Sequence, residues 1–304
     1  MDLSVGIGTK KLVNPVGVAS GTFGYGGEYE RLIDFRDIGA LYTKAVTLLP
    51  REGNDIPRIV ETPSGILNSI GLANVGVERF LSEKLPFCAT LPCAIIVNVA
   101  GSTQEEYASV VERCESSTSA PAIFGYEINV SCPNVKHGGM AFGTDPRLVE
   151  RLTADLRRRT DRPLIVKLTP NVTDITVIAR AAAAGGADAL SCINTLVGMA
   201  IDVEAKRPVL PLKTGGLSGP AVRPIGVAAV YAVSRAVTIP VIGIGGISSG
   251  RDALEYLLAG ASAVQIGTAN FVDPSTASRV LAAIREFAER EAMTCVKDFH
   301  AFIK

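Results

Sequence analysis

Two lysines and three asparagines stand where short apolar runs end: Lys44 after LYT, Asn98 within AIIVNV, Asn129 within IFGYEINV, Lys167 within LIVKL and Asn194 after ADALSCI. Ser20 closes PVGVAS, and Gly245-Gly246 and Gly267-Thr268 close two further runs. Cations and amides at the ends of apolar segments are costly to bury unless something polar meets them. Converging on one place, they point to a bound ligand with many hydrogen-bonding atoms and some negative charge. The alternative is that the asparagines satisfy loop backbone and the lysines pair with acids. Cys132, in Asn129-Val-Ser-Cys-Pro-Asn134, places a thiol directly after one of these runs. Beside cations, a thiolate can act as base or nucleophile. His137 follows five residues later, in HGGMAFG, and is a candidate partner for it.

Gly245, Gly246, Gly267 and Thr268, in GIGGISSG and QIGTANF, suit a phosphate cradle, because glycines let backbone N–H groups approach an anion. Tight turns alone would also explain them. The spacing is wrong for a dinucleotide fingerprint, and no acidic partner follows about 20 residues on.

The elements that must position these residues alternate. Eight apolar runs, at 15–20, 41–44, 94–99, 123–130, 164–168, 187–194, 240–245 and 263–267, read as strands covered on both faces. Helical patterns fall at 27–38, 105–115, 145–160, 173–184, 220–236, 250–259 and 274–290. The first carries Tyr29, Leu32 and Ile33 on one stripe, and the fourth opens on a Thr173 cap. Eight alternations over 304 residues favour a (β/α)8 TIM barrel over an open doubly wound sheet. Long segments at 45–76, 131–144 and 195–219 all follow strands, which puts them at the C-terminal face of a barrel, where active sites form. No linker or short repeat interrupts the chain, so one domain over 1–304 is expected.

Thirty basic and thirty acidic residues cancel, giving no electrostatic attraction for nucleic acid or an anionic membrane. Two histidines cannot build a three-histidine zinc site, the six scattered cysteines include no Cys-x2-Cys pair, and no metal is expected. Without a basic-then-apolar N-terminus or an apolar span of about 18 residues, the expectation is a reduced, cytoplasmic protein.

Taken jointly, Ala19-Ser20-Gly21, Thr43-Lys44-Ala45, Arg51-Glu52-Gly53-Asn54, Asn68-Ser-Ile-Gly-Leu72, Asn129–Asn134, Val166-Lys-Leu-Thr-Pro170 and Gly243–Ile247 resemble the class 1 dihydroorotate dehydrogenases, along essentially the whole chain. The resemblance implies an FMN-dependent barrel that oxidises dihydroorotate to orotate in pyrimidine biosynthesis. It implies that Ser20, Lys44, Ala45, Asn98, Asn129, Lys167, Ile193, Gly219, Gly245, Gly246, Gly267 and Thr268 hold FMN. It implies that Lys44, Asn68, Ser69, Ile70, Gly71, Leu72, Asn129, Asn134, Asn194 and Thr195 hold dihydroorotate, with Cys132 as base and the 131–144 segment as a lid. The cysteine, where class 2 enzymes carry serine, and the absence of their N-terminal extension point to class 1. The stretches Ser20–Tyr25 and Pro63–Leu67 look most like subclass 1B. That subclass implies a homodimeric core in a heterotetramer, with electrons passing to NAD through a separate subunit carrying FAD and [2Fe-2S]. The alternatives are a fumarate-reducing 1A enzyme, a dihydropyrimidine dehydrogenase relative, a Schiff-base aldolase using Lys167, and a non-catalytic phosphate-binding barrel.

Overall fold

A computed structural model describes residues 1–131 and 142–303. Eight parallel strands close into a barrel: β1 Val16–Val18, β2 Ala40–Tyr42, β3 Ala94–Val99, β4 Ile123–Asn129, β5 Leu164–Leu168, β6 Ala189–Cys192, β7 Val241–Ile244 and β8 Ala263–Ile266. Each pairs with its neighbour in sequence, and β8 pairs with β1. All eight expected strands are present, and the (β/α)8 barrel holds over the open sheet.

The strands are near-continuously buried because helices cover the outside and side chains fill the inside. Each fully buried Val, Ile or Leu contributes about 1.5–3 kcal/mol. Helices Gln104–Glu115, Pro146–Arg157, Ile175–Ala184, Arg223–Ala236, Gly250–Leu258 and Thr276–Arg290 follow β3 to β8 in turn. Asp145 caps the second of these by accepting from the Arg147 N–H at 2.8 Å, as its Asp-Pro-Arg start suggests.

Three expectations need correction. The 27–38 helix is two short 3-10 turns, Gly27–Tyr29 and Phe35–Asp37. Asp34 caps the second turn, and its carboxylate accepts from the Arg36 N–H at 2.9 Å, which stops any continuous helix. Tyr29 stacks on Phe23 with ring centroids 3.7 Å apart, while Leu32 stays 60 % exposed, so there is no helical stripe. The cap of Ile175–Ala184 is Asp174, not Thr173; Asp174 accepts from the Thr176 N–H at 2.9 Å. Proline 220 opens a separate 3-10 turn, Pro220–Val222, ahead of its helix.

The long connections carry structure that periodicity did not announce. Segments after β2 supply Ile59–Thr62 and Gly65–Asn68, and segments after β6 supply Leu196–Met199 and Thr214–Ser218. These four pair as one antiparallel sheet, with Asn68 opposite Gly216. Strands β2 and β6 stand diametrically opposed in an eight-stranded barrel. A sheet built from their two loops therefore spans the C-terminal mouth. At the other end, a hairpin of Val5–Ile7 and Lys10–Leu12 lies under the strands, its Lys10 ammonium donating to the Phe124 carbonyl at 3.0 Å.

Candidate active site

The barrel brings Asn129, Lys167 and Asn194 together at one mouth. Asn129 ends β4 and Lys167 lies beside it on β5 in direct register. The Asn194 amide donates to Asn129 Oδ1 at 3.1 Å, joining the ends of β4 and β6. The Asn129 carbonyl is fixed from outside by the Tyr107 hydroxyl, which donates at 2.7 Å. Thr195 follows Asn194, and its carbonyl accepts from the Asn171 amide at 3.0 Å. Ile193 is buried, and its N–H donates to the Ile244 carbonyl at 2.9 Å.

Lys44 follows β2, next to buried Ala45, and points towards the end of β1. A Cβ added to Gly21, one residue beyond Ser20, would sit 3.8 Å from its Nζ. Burial lowers this ammonium's pKa below the ordinary lysine value, and no charged neighbour among the described residues offsets the effect. A half-buried cation in that state is a ready partner for an anion.

Lys167 is 6 % exposed and meets a carboxylate that sequence reasoning missed. Glu127, on β4 and fully buried, lies 3.6 Å from the Lys167 Nζ. Its Oε2 also accepts from the Asn98 amide at 2.6 Å. Its Oε1 accepts from Ser191 Oγ at 2.8 Å and from the Gln265 amide at 2.8 Å. The available signal was one glutamate inside an otherwise apolar strand pattern.

The 68–72 segment runs out of the mouth-spanning sheet. Asn68 donates to the Gly216 carbonyl at 3.2 Å, and Ser69 Oγ accepts from Asn54 at 3.0 Å. The Ile70 carbonyl accepts from the Asn54 N–H at 3.2 Å, so Asn54 grips the loop at two points. Leu72 adopts a left-handed φ of +56°. Asn74 holds it there: its amide donates to the Leu72 carbonyl at 2.7 Å, and its Oδ1 accepts from the Gly76 N–H at 2.8 Å. Neither Asn54 nor Asn74 was singled out from the sequence as a site residue.

A cavity of about 250 Å³ opens beyond β7 and β8, lined in part by Gly219, Gly246, Ser248 and Thr268. Gly219 and Gly246 have φ of +96° and +66°, where side chains are strained. A Cβ on Gly246 would approach the Gly219 carbonyl oxygen to 2.8 Å. Thr268 donates to Ser218 Oγ at 2.8 Å, tying this cradle to the mouth-spanning sheet. Asp252 shapes the adjoining turn, accepting from the N–H groups of Ser248 and Ser249 at 3.0 and 2.8 Å. Burial alone would raise its pKa, but these hydrogen bonds and Arg223 outweigh burial and hold it below the usual carboxylate value. Gly245 and Gly267 are not among the residues lining the cavity.

These residues fit the FMN that the resemblance implies. The cradle has room for a phosphate and is closed to any side chain at Gly246. Among the described residues no donor meets the buried Asn98 Oδ1, an acceptor suited to a donor such as a flavin ring N–H. Cys132, Asn134 and His137, with most of the 131–144 segment, lie outside the described residues. The other cysteines differ among themselves. Burial pushes Cys88, Cys93 and Cys114 up to about 12, and raises Cys192 further still. Cys295 is half-buried and faces Asp298.

Comparisons with known proteins agree with this architecture. A solved structure, a DHODH from Eimeria tenella in complex with ferulenol, matches with a TM-score of 0.80 at 23 % identity, covering 98 % of this chain and 87 % of that one. At that identity the likeness speaks for the fold. Relatives named "Dihydroorotate dehydrogenase B (NAD(+)), catalytic subunit" are far nearer in sequence. The Geotalea daltonii protein is 52 % identical over 303 residues, covering 100 % of this chain and 98 % of the relative. The Pelobacter propionicus protein is 53 % identical over 297 residues, covering 98 % and 97 %. That of Geobacter metallireducens is 53 % identical over 297 residues, covering 98 % and 96 %. The fumarate-linked and Schiff-base alternatives find no support among these three. The family model described as Dihydroorotate dehydrogenase matches residues 2–288. A barrel mouth furnished with cations and amides beside a glycine-lined cavity, and a family match over nearly its whole length, make this chain a member of the dihydroorotate dehydrogenase family.

Proposed function

We propose that the chain is the catalytic subunit of an NAD-linked dihydroorotate dehydrogenase, oxidising dihydroorotate to orotate for pyrimidine biosynthesis. The observation that carries this reading is the joining of Asn129, Asn194 and Lys167 at one barrel mouth, in a chain about 52 % identical to the Geotalea daltonii catalytic subunit over its full length. The family is flavin-dependent, and our reading is one FMN per chain. The whole chain, 1–304, works in this reading as one FMN-binding barrel in the cytoplasm.

Gly219, Gly246 and Thr268 would hold the FMN phosphate, with Gly245 and Gly267 shaping the turns beside it. Ser20, Ala45, Asn98, Ile193 and Lys167 would meet the rest of the coenzyme. Bound FMN supplies a hydride acceptor for the hydrogen on C6 of dihydroorotate. Cys132 takes the proton from C5. A thiol suits that task near neutral pH, because nearby cations lower an ordinary thiol pKa of about 8.5. Lys44 neutralises the anionic substrate. Asn129, Asn134 and Asn194 offer both donors and acceptors to a ring of alternating N–H and C=O groups. Residues 68–72, with Thr195, close over the ring. Lys167 brings a buried positive charge to the side where negative charge grows.

The electron path runs on through a partner subunit holding FAD and [2Fe-2S], around a homodimeric core. The test uses the isolated chain reconstituted with FMN. A yellow protein that oxidises dihydroorotate with an artificial acceptor, but reduces neither fumarate nor NAD efficiently alone, is the expected result. A colourless chain that forms a borohydride-trapped adduct with a carbonyl substrate would overturn the reading. Efficient fumarate reduction by the chain alone would overturn the NAD-linked assignment.

A further inference from the structure

TIM-barrel interiors are ordinarily layers of Val, Ile and Leu. This barrel instead carries a polar cluster centred on Glu127. The carboxylate sits two residues before the end of β4 with no exposure, and four strands answer it: Asn98 from β3, Lys167 from β5, Ser191 from β6 and Gln265 from β8. Tyr42 of β2, held protonated by burial and by the Glu127 charge, shares a side-chain hydrogen bond with the same Gln265. Taking a carboxylate out of water costs several kcal/mol, so a fully buried one must be satisfied on both oxygens. Here every facing group bonded to it is a donor.

The amides show what this satisfaction does. Asn98 and Gln265 each turn their NH2 group to Glu127, and so each leaves its carbonyl oxygen buried and, among the described residues, unpartnered. An orphaned acceptor costs about 1–3 kcal/mol. A carboxylate that only plugged the barrel would not require two such orphans. The geometry makes sense if the carboxylate holds its neighbours in one orientation for a ligand above them. Lys167 is the other member of the set. It is in register with Asn129 at the mouth and leans on Glu127 from above.

Resting on the function proposed above, we infer that Glu127 is a positioning residue of the flavin site. It orients the Asn98 amide and anchors the Lys167 ammonium, and by partly neutralising that ammonium it sets how strongly the site favours reduced flavin. It touches neither substrate nor any reacting atom. Its effect passes through Lys167, whose uncompensated charge would favour the reduced, more negative coenzyme.

The test compares FMN-loaded wild type and Glu127→Gln, which keeps the volume and removes the charge. The readouts are the flavin reduction potential, by dye equilibration, and the FMN dissociation constant, by fluorescence. Glu127→Gln is expected to shift the oxidised–reduced equilibrium about tenfold or more towards reduced flavin, ~30 mV upward for a two-electron couple. The shift should vanish when the same change is made in a Lys167→Met background. An unchanged potential in Glu127→Gln overturns the inference, and so does a shift that persists without Lys167. If Glu127→Gln does not fold, Glu127→Asp is measured instead, since it keeps the charge but withdraws it from the donors. FMN affinity weakened about tenfold in a folded Glu127→Asp protein supports the role. Wild-type affinity and potential in that variant overturn it. A wild-type chain that binds no FMN would bring down the proposed function itself, a result distinct from a yellow wild type matched by an unaltered variant.

Discussion

At the scale of single residues, thiols of one kind of atom meet very different surroundings. Cys88, Cys93, Cys114 and Cys192 are held protonated by burial at neutral pH, so they are poor nucleophiles and poor bases. Brief alkylation of the native protein at neutral pH should therefore spare these four and modify Cys132, read by peptide mass spectrometry. Cys132→Ala should leave a folded, yellow protein with dihydroorotate oxidation reduced about 10²–10⁴-fold, the range for losing a general base. Cys132→Ser should recover part of that rate only at higher pH, because a hydroxyl is a weaker acid than a thiol. Near-normal rates in the alanine variant at neutral pH would remove Cys132 from the mechanism. Lys44 permits a second prediction. Burial depresses its pKa in the free protein, and a bound anion must raise it again. Orotate binding on the alkaline side should then take up a proton, and affinity should fall as pH rises through the depressed value. Titration calorimetry in two buffers of different ionisation enthalpy measures that uptake. Lys44→Met should abolish it and weaken orotate binding by about tenfold or more.

Elements explain what the residues could not. Asn74 acts as a latch between two loops, spending its amide on the Leu72 carbonyl and on Thr47 Oγ1 at 2.8 Å, and its oxygen on the Gly76 N–H. Without it the left-handed turn at Leu72 loses its support and the 68–72 segment loosens. Asn74→Ala should raise the KM for dihydroorotate several-fold while FMN affinity stays near wild type. Equal weakening of both would show that the latch serves the whole mouth rather than the substrate loop. Much of this architecture was legible. The eight barrel strands were readable because doubly covered strands are continuous apolar runs, and the polar residues ending them stood out against that background. The mouth-spanning sheet was not readable, because its pairing joins segments as far apart as Asn68 and Gly216, 148 residues along the chain. The helical run after it was hidden for a different reason. Gly76–Arg79 and Leu85–Cys88 are α-helical, with a π-helical turn at Phe80–Lys84 between them. The buried residues Val77, Phe80, Leu85 and Cys88 are spaced three, five and three apart, close to one helical stripe, but Pro86 inside the run reads as a break. Glu127 escaped notice because one charged residue inside an apolar strand resembles an interruption, and only closure of the barrel reveals its four donors.

Across the whole molecule, burial of weak acids fixes how stability must vary with pH. Cys88, Cys93 and Cys114 ionise near 9 in an unfolded chain and near 12 when folded, because burial disfavours the thiolate. Burial likewise pushes Tyr25 up to about 12, and raises Cys192, Tyr126 and Tyr256 beyond that. These groups are all raised, so their contribution is complete below the unfolded values and is lost as pH climbs towards the folded ones. Between those limits the unfolded chain has released protons that the folded chain retains, and the slope of unfolding free energy against pH is negative. Two lysines oppose the trend. Lys10 and Lys44 are depressed by burial, and raising the pH relieves the cost of keeping them charged in the folded state. Four thiols and three tyrosines outnumber them. The midpoint of urea unfolding should therefore hold level up to about pH 8 and decline steeply above pH 9. Substituting Cys114 by Ala should flatten that alkaline decline while costing some stability at neutral pH through the lost packing. A midpoint that stays constant from pH 7 to about pH 11 would mean that these thiols are hydrated in the folded protein, contrary to the burial assigned to them.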